Sequence, residues 1–258
     1  MKQKITEIIN KVGIEDVGFC SFEKIKNKLL CCRAKDRLPK NAQTVIMCLF
    51  PYKVKDEKPQ YISRYAAVPD YHAVCKNYLS KIAEELKKAF PQNNFETFTD
   101  NSPIPEVYTA VLSGLGVLGE NGLLINEKYG SFVFLGEIVT DIVFPCDGEI
   151  KRCIGCKKCK EVCPENTDGT QCLSAVSQKK GELTDGEIKA LKKYGILWGC
   201  DICADVCPLN KTAQNTYIKE FTDGYKDGYT LGEDITCRAY NWRGEKVIKR
   251  NYYILSKK

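Results

Sequence analysis

Apolar and polar positions repeat with two different periods along residues 1–145. In Lys4–Lys11 and in Tyr71–Phe90 (YHAVCKNYLSKIAEELKKAF) apolar side chains recur every three or four residues, which predicts two amphipathic helices. TVIMCLF (44–50) and FETFTD (95–100) are compact apolar or alternating runs bounded by Pro51 and by Asn101/Pro103, and they predict strands. In GLLINEKYGSFVFLGEIVTDIVF (122–144) two apolar runs flank the turn-like Asn126–Gly130, which predicts a hairpin feeding a sheet. Alternating strands and helices point to a layered α/β or α+β domain.

Residues 146–210 break this pattern. They hold nine cysteines and two Cys-Pro pairs, with a polar helical insert, Leu183–Tyr194, between the two cysteine groups. Residues 211–258 are rich in Gly, Tyr and Lys and form a third region of no assigned structure. The chain, 258 residues long and 43% hydrophobic, is large enough for one large or two small packed domains. No run of about 18 apolar residues occurs, and the amphipathic start carries no signal-peptide core. The expectation is a soluble, cytoplasmic protein with no membrane partner.

The formal net charge of +6 is unevenly distributed. Cys237–Lys258 holds seven Lys or Arg against one acidic residue, leaving 32 of each sign elsewhere. Tyr240, Trp242, Tyr252 and Tyr253 are interleaved with those charges, a mixture suited to phosphate contact and base stacking. A solvated helix or strand with one apolar face explains the same pattern.

Fifteen cysteines in a chain of this size without an export signal favour thiols or metal ligation over a disulfide scaffold. Cys20, Cys31, Cys32, Cys48, Cys75, Cys146 and Cys237 lie outside any motif and read mainly as small apolar filling. The other eight are ordered. CIGCKKCKEVCP (153–164) has the C-x2-C-x2-C-x3-C-P spacing of bacterial-type iron–sulfur binding, and CDICADVCP (200–208) has C-x2-C-x3-C-P. In two-cluster proteins of this type the Cys-Pro cysteine of one group ligates the other cluster. Two [4Fe–4S] clusters are therefore expected, one on Cys153, Cys156, Cys159 and Cys207, the other on Cys163, Cys200, Cys203 and a fourth thiolate. Cys172, between the groups, is the natural fourth, and Cys146 is the spare. Four-cysteine zinc sites also use C-x2-C pairs, but two Cys-Pro groups suit them poorly.

Around these cysteines the chain resembles the epoxyqueuosine reductase family, cobalamin-dependent iron–sulfur enzymes of tRNA queuosine synthesis. The resemblance runs from about Arg64 to Asn210. It rests on ISRYA and DYH (Ile62–Ala66, Asp70–His72), TDNSP (Thr99–Pro103), GLGVLGENGLLIN (Gly114–Asn126), YGSFVFLGEI (Tyr129–Ile138), QCLS (Gln171–Ser174) and WGCDICADVCPLN (Trp198–Asn210). It implies an α/β (α+β) cobalamin-binding domain over 1–145, a ferredoxin-like module with two [4Fe–4S] clusters over 146–210, and a basic aromatic segment over 211–258. It also implies an oxidoreductase that reduces epoxyqueuosine in tRNA to queuosine, fed by an electron donor of ferredoxin or flavodoxin type. Asp100 aligns with the family's proton-donating aspartate; such an acid needs a raised pKa, as burial against an apolar wall would give. Without the resemblance, Asp100 reads first as a cap of the Asn101–Pro103 turn and the helix that follows.

Expected cofactor contacts are Arg64, Tyr65, Asp100, Leu124, Asn126, Leu135 and Ser174. Gly114–Gly119 matches G-x-G-x-x-G but follows a helical stretch, so nicotinamide binding is rejected; glycines at this density suit close backbone approach to a planar cofactor. His72, the only histidine, is not expected on cobalt. There are two departures from the family. Ala67-Val68-Pro69 replaces its usual Arg-Gly, and about 50 residues follow Asn210, too few for a helical-repeat domain that grips tRNA. Two further readings stay open: a cobalamin-dependent reductase of another small molecule, and a ferredoxin-like electron carrier that is no enzyme.

Overall fold

The computed structural model describes residues 1–146 and 148–256, so Lys257 and Lys258 of the basic tail lie outside the described residues. The chain divides into two compact units, Met1–Pro51 with Tyr71–Gly155, and Tyr52–Asp70 with Cys156–Lys258.

The first unit is built on strands β1 (Val17–Ser21), β2 (Thr44–Pro51), β3 (Phe95–Phe98) and β6 (Val133–Thr140), in the order β1-β2-β6-β3. Every pairing is antiparallel, so this unit is α+β. The apolar run 44–50 forms β2, buried at every position because both of its faces are covered. Val45, Met47 and Leu49 join a core with Phe98, Ile104, Ala110 and Leu112. On the opposite face Phe50 meets Tyr78 edge-on, with ring centroids 6.0 Å apart. Tyr78 belongs to the helix Tyr71–Ala89, which matches the predicted 71–90. That helix lies so close to β6 that a Cβ at Gly136 would stand 2.8 Å from Leu79 Cδ1. The N-terminal helix, Lys2–Val12, buries Ile5 and Ile9 and stops at Gly13, whose φ of 111° is left-handed.

The predicted hairpin over 122–144 does not form. Its turn is present, since Asn126 and Gly130 exchange both backbone hydrogen bonds at 2.9 Å. Its arms separate, however: β5 (Leu124–Ile125) pairs with β4 (Val117–Leu118), while β6 lies between β2 and β3. The small sheet also explains the glycine-rich stretch. A Cβ at Gly116 would lie 2.4 Å from the Ile125 carbonyl oxygen, so the close backbone approach is to β5 of the chain itself.

The second unit is a set of short helices. The polar insert is the helix Asp185–Tyr194, preceded by Thr184, whose Oγ1 accepts from Glu187 N at 3.3 Å, while Glu187 Oε2 accepts from Thr184 N at 2.7 Å. This reciprocal capping box fixes the start of the helix, and Gly195 in left-handed conformation ends it. Replacing Thr184 by Ala should cost about 1 kcal/mol in chemical denaturation. The tail folds as the helix Glu245–Ser256, which buries Val247, Ile248 and Asn251. Asn251 Nδ2 donates to the carbonyls of Ser177 (2.7 Å) and Leu197 (2.8 Å). Arg250 donates to the Lys179 carbonyl at 2.8 Å, and Tyr240 is buried beside Trp198. The end of the basic aromatic segment, 245–256, is thus a helix with one apolar face; Trp242 and Tyr253 remain exposed.

Candidate functional site

In the second unit the Cys-Pro pairs shape the cysteine loops. A residue before proline is excluded from helical backbone. Cys163 (φ −71°, ψ 123°) and Cys207 (φ −69°, ψ 121°) accordingly stay extended, each just before the turn of helix its proline opens. Cys172 takes a similar place before Leu173–Gln178. Burial pushes the Cys200 thiol up to about 11; the Ile202 N–H opposes this, and the nearby Cys203 and Cys172 add to it. Cys172, Cys200 and Cys203 are therefore neighbours. Cys146 belongs to the first unit, where its thiol donates to the Phe144 carbonyl at 3.3 Å and its charge is felt by Cys20. Cys153, at the end of that unit, donates its backbone N–H to the Leu118 carbonyl at 3.0 Å. Among the described residues no three His, Cys, Asp or Glu side chains converge as a single metal ion requires.

Arg64, Tyr65 and Ser174 lie in the second unit and brace the cysteine loop. The Arg64 backbone N–H donates to Asp201 Oδ2 at 2.7 Å, and its guanidinium pairs with Asp201 at 3.4 Å and with Asp205. Asp201 follows Cys200 directly, so Arg64 anchors the second cysteine group. Gln178 Nε2 donates to both Tyr65 Oη (3.2 Å) and Ser174 Oγ (3.1 Å). Leu124, Asn126 and Leu135 lie in the first unit. Leu124 is in its core and Leu135 packs against that core. Asn126 is a turn organiser, donating from Nδ2 to the Leu115 carbonyl and accepting at Oδ1 from the N–H groups of Lys128 and Tyr129.

The first unit brings two distant segments together, DYH at the start of the long helix and TDNSP just after β3. Asp100 Oδ2 lies 3.2 Å from His72 Nε2, and the His72 ring stacks on Tyr71, which stacks on Phe134. Asp100 adopts a φ of 57°, a left-handed conformation that aspartate tolerates better than most residues. Its carboxylate faces His72, while Ser102 Oγ accepts from Ile104 N at 3.0 Å and the helix Glu106–Leu112 starts without a side-chain cap. The hydrogen bond from His72 holds Asp100 below its ordinary value; burial acts against this, and the charge of His72 and a Tyr71 hydrogen bond act with it. That is opposite to the expected raised acid, because 56% of the side chain is still exposed and the His72 ring lies within hydrogen-bond reach.

The raised carboxyls stand next to it. Burial pushes Glu106 up to about 7, with the charge of Asp100 adding to it and a hydrogen bond from Glu137 opposing it; burial pushes Glu137 well above its ordinary value, and the charges of Glu106 and Asp100 add to that. Sequence reasoning missed both. The available signal was Glu137 itself, the single charge in the apolar strand VFLGEIVT. A carboxyl raised on folding gives stability that is complete below about 4.5, its unfolded value, and is lost as pH rises through its folded value. Urea denaturation near pH 5 and pH 8 should therefore show a loss of stability with rising pH that is smaller in Glu106→Gln.

The chain matches the family profile described as Epoxyqueuosine reductase QueG, DUF1730, over residues 33–101. An epoxyqueuosine reductase of Lactococcus garvieae is 30% identical, with 97% of this chain and 85% of that relative covered. The chain belongs to the epoxyqueuosine reductase family. Another member, from Leadbetterella byssophila, is 33% identical over 70% of this chain, and the match spans 62% of that relative's length. For other curated family members the share is 55%, little more than half their length. The fold matches that of a crystal structure of epoxyqueuosine reductase with a tRNA-Tyr epoxyqueuosine-modified stem loop. The TM-score is 0.82 and the identity 23%, over 98% of this chain and 80% of the other.

Proposed function

We propose that this chain reduces epoxyqueuosine in tRNA to queuosine, using two [4Fe–4S] clusters and cobalamin. The observation that carries the reading is the meeting of DYH and TDNSP, in a chain of this family, to pair Asp100 with His72. The L. garvieae and L. byssophila relatives carry the name epoxyqueuosine reductase, and the structural relative was solved with an epoxyqueuosine-modified stem loop.

The donor chemistry fits the clusters. Burial and the neighbouring Cys203 and Cys172 disfavour ionisation of the Cys200 thiol, a cost that bound iron would offset. By spacing, Cys153, Cys156, Cys159 and Cys207 would hold one cluster, and Cys163, Cys172, Cys200 and Cys203 the other. A cobalamin fits the first unit's unused hydrogen-bonding capacity: Asn121 Nδ2 is buried without a partner among the described residues, and cobalamin is rich in amide groups. Arg64, Tyr65, Leu124, Asn126, Leu135 and Ser174 stay candidate contacts, either direct or through the loops they hold. Bound cobalamin would supply the low-valent cobalt that brings reducing electrons to the substrate. The partners are an electron donor of ferredoxin or flavodoxin type and tRNA. No helix among the described residues is long and apolar enough to cross a membrane, which accords with work in the cytoplasm.

Asp100 and His72 manage a proton. While Asp100 is open to water its carboxylate stays charged and the shared proton sits on His72 Nε2. A ligand that covers Asp100 removes that water, disfavours the charged form and draws the proton onto the carboxyl, facing the oxygen to be released. Anaerobic protein reconstituted with iron, sulfide and cobalamin should convert epoxyqueuosine-containing tRNA to queuosine with a strong chemical reductant. Reconstituted protein that carries both cofactors and leaves that tRNA unchanged would refute the reading.

A further inference from the structure

Asp100 and His72 leave two carboxyls of the same unit without a role. Glu137 sits in the middle of β6 with no exposure at all, on the strand face that carries Leu135 and Val139. Across the sheet it is paired with Met47 of β2 and Phe98 of β3. Among the described residues neither Glu137 carboxyl oxygen finds a hydrogen-bond donor, and neither does Oε1 of Glu106, which lies at the start of the helix Glu106–Leu112. The Ser102 hydroxyl stands beside Glu137 without making a bond of normal geometry to it. What the two carboxyls reach is each other.

Two ionised carboxylates cannot share a buried contact of this kind, whereas one proton turns an acceptor–acceptor contact into a hydrogen bond. Glu106 also accepts from the backbone N–H of Asp100, so the pair adjoins the residue placed at the substrate. The other titratable groups that face it are the Asp100 carboxylate, the His72 ring and the buried Cys48 thiol of β2.

The chemistry of the proposed reaction supplies the need. Removing an epoxide oxygen as water and restoring a carbon–carbon double bond breaks two C–O bonds and forms two O–H bonds. It consumes two electrons, from the external one-electron donor, and two protons. The single carboxyl of Asp100 carries one. We propose that Glu106 and Glu137 hold one proton between them and that it passes to the Asp100 carboxylate as the second proton of the reaction. In that step an O–H bond of the pair breaks, an O–H bond on Asp100 forms, and the pair gains one negative charge until water returns a proton through the part-exposed His72 and Asp100. Glu106 and Glu137 are thus positioning residues that act through Asp100. The destination of the proton rests on the proposed epoxide reduction; its residence on the pair does not.

The test uses anaerobically purified holoprotein with carboxyl-labelled glutamate and two isosteric variants, Glu137→Gln and Glu106→Gln, so that one remains if the other fails to fold. Infrared spectroscopy should show a protonated-carboxyl stretch in the wild type that bleaches as pH rises through about 7. In either variant this titration should move by about a unit or more, because the like charge is replaced by an amide donor. Turnover of an epoxyqueuosine stem loop should fall about 10²-fold, and its pH profile should move with the infrared titration at unchanged iron content. A wild type without the acid stretch near pH 6 overturns the shared proton. Variants whose stretch shifts while rate and pH profile stay at wild-type values overturn the relay. A wild type that shows the stretch but never turns over the stem loop overturns the functional reading and the proton's destination, while the shared proton stands.

Discussion

Asp100→Asn should lower turnover of epoxyqueuosine-containing tRNA by about 10²- to 10⁴-fold, the usual contribution of a general acid. Asparagine keeps the shape of the side chain and tolerates the left-handed backbone at this position as well as aspartate does. It can still accept a hydrogen bond from His72, but it has no proton to transfer. Iron content should not change, because Asp100 and the cysteine loops around Cys172 and Cys200 belong to different compact units. A cap role predicts near-normal turnover, since asparagine caps about as well as aspartate. The structure already weighs against that role: the Asp100 carboxylate faces His72, and Ser102 serves the turn. The assay needs a strong chemical reductant so that electron supply does not limit the rate. Normal turnover by the variant would remove Asp100 from the mechanism.

What could be read in the sequence depended on how local its physical cause is. The long helix at 71–89 and strand β2 follow from periodicity and from flanking Pro51, so they matched within a residue or two. The helix Asp185–Tyr194 carries its own capping box and glycine stop. The arms of the expected hairpin failed because strand partners are chosen by the sheet: β6 is apolar enough to be buried between β2 and β3, and its turn says nothing of that. The Cys-Pro spacing was legible because a proline fixes the cysteine before it. The state of Asp100 was not, because it depends on His72, 28 residues away in sequence and 3.2 Å away in space. Arg64 illustrates the same limit. The resemblance made it a candidate cofactor contact, and only the fold reveals that it also pairs with Asp201 and Asp205. Glu137 was visible as an odd charge in an apolar strand, but its partner Glu106 becomes apparent only when the helix is laid on the sheet.

Cys172→Ser should remove one cluster and leave the other, so that iron falls from about eight to about four per chain. The spacing leaves one ligand position open beside Cys163, Cys200 and Cys203, with Cys172 and Cys146 as the candidates. Cys172 is felt by Cys200 as a charge neighbour, whereas the Cys146 thiol donates to the Phe144 carbonyl and is felt by Cys20. Serine preserves the size of the side chain, so the helix Leu173–Gln178 that Cys172 precedes should still form. Its hydroxyl ionises far less readily than a thiol and offers iron a hard oxygen where the cluster takes soft thiolates. The same change at Cys146 should leave the iron content at its wild-type level. Iron and sulfide should be measured on anaerobically reconstituted protein, with circular dichroism to confirm that each variant is folded. A folded Cys172 variant with full iron, together with a Cys146 variant that has lost about half, would transfer the ligand role to Cys146. Equal loss in both would mean that the cluster depends on the first unit as well as on the cysteine loops of the second.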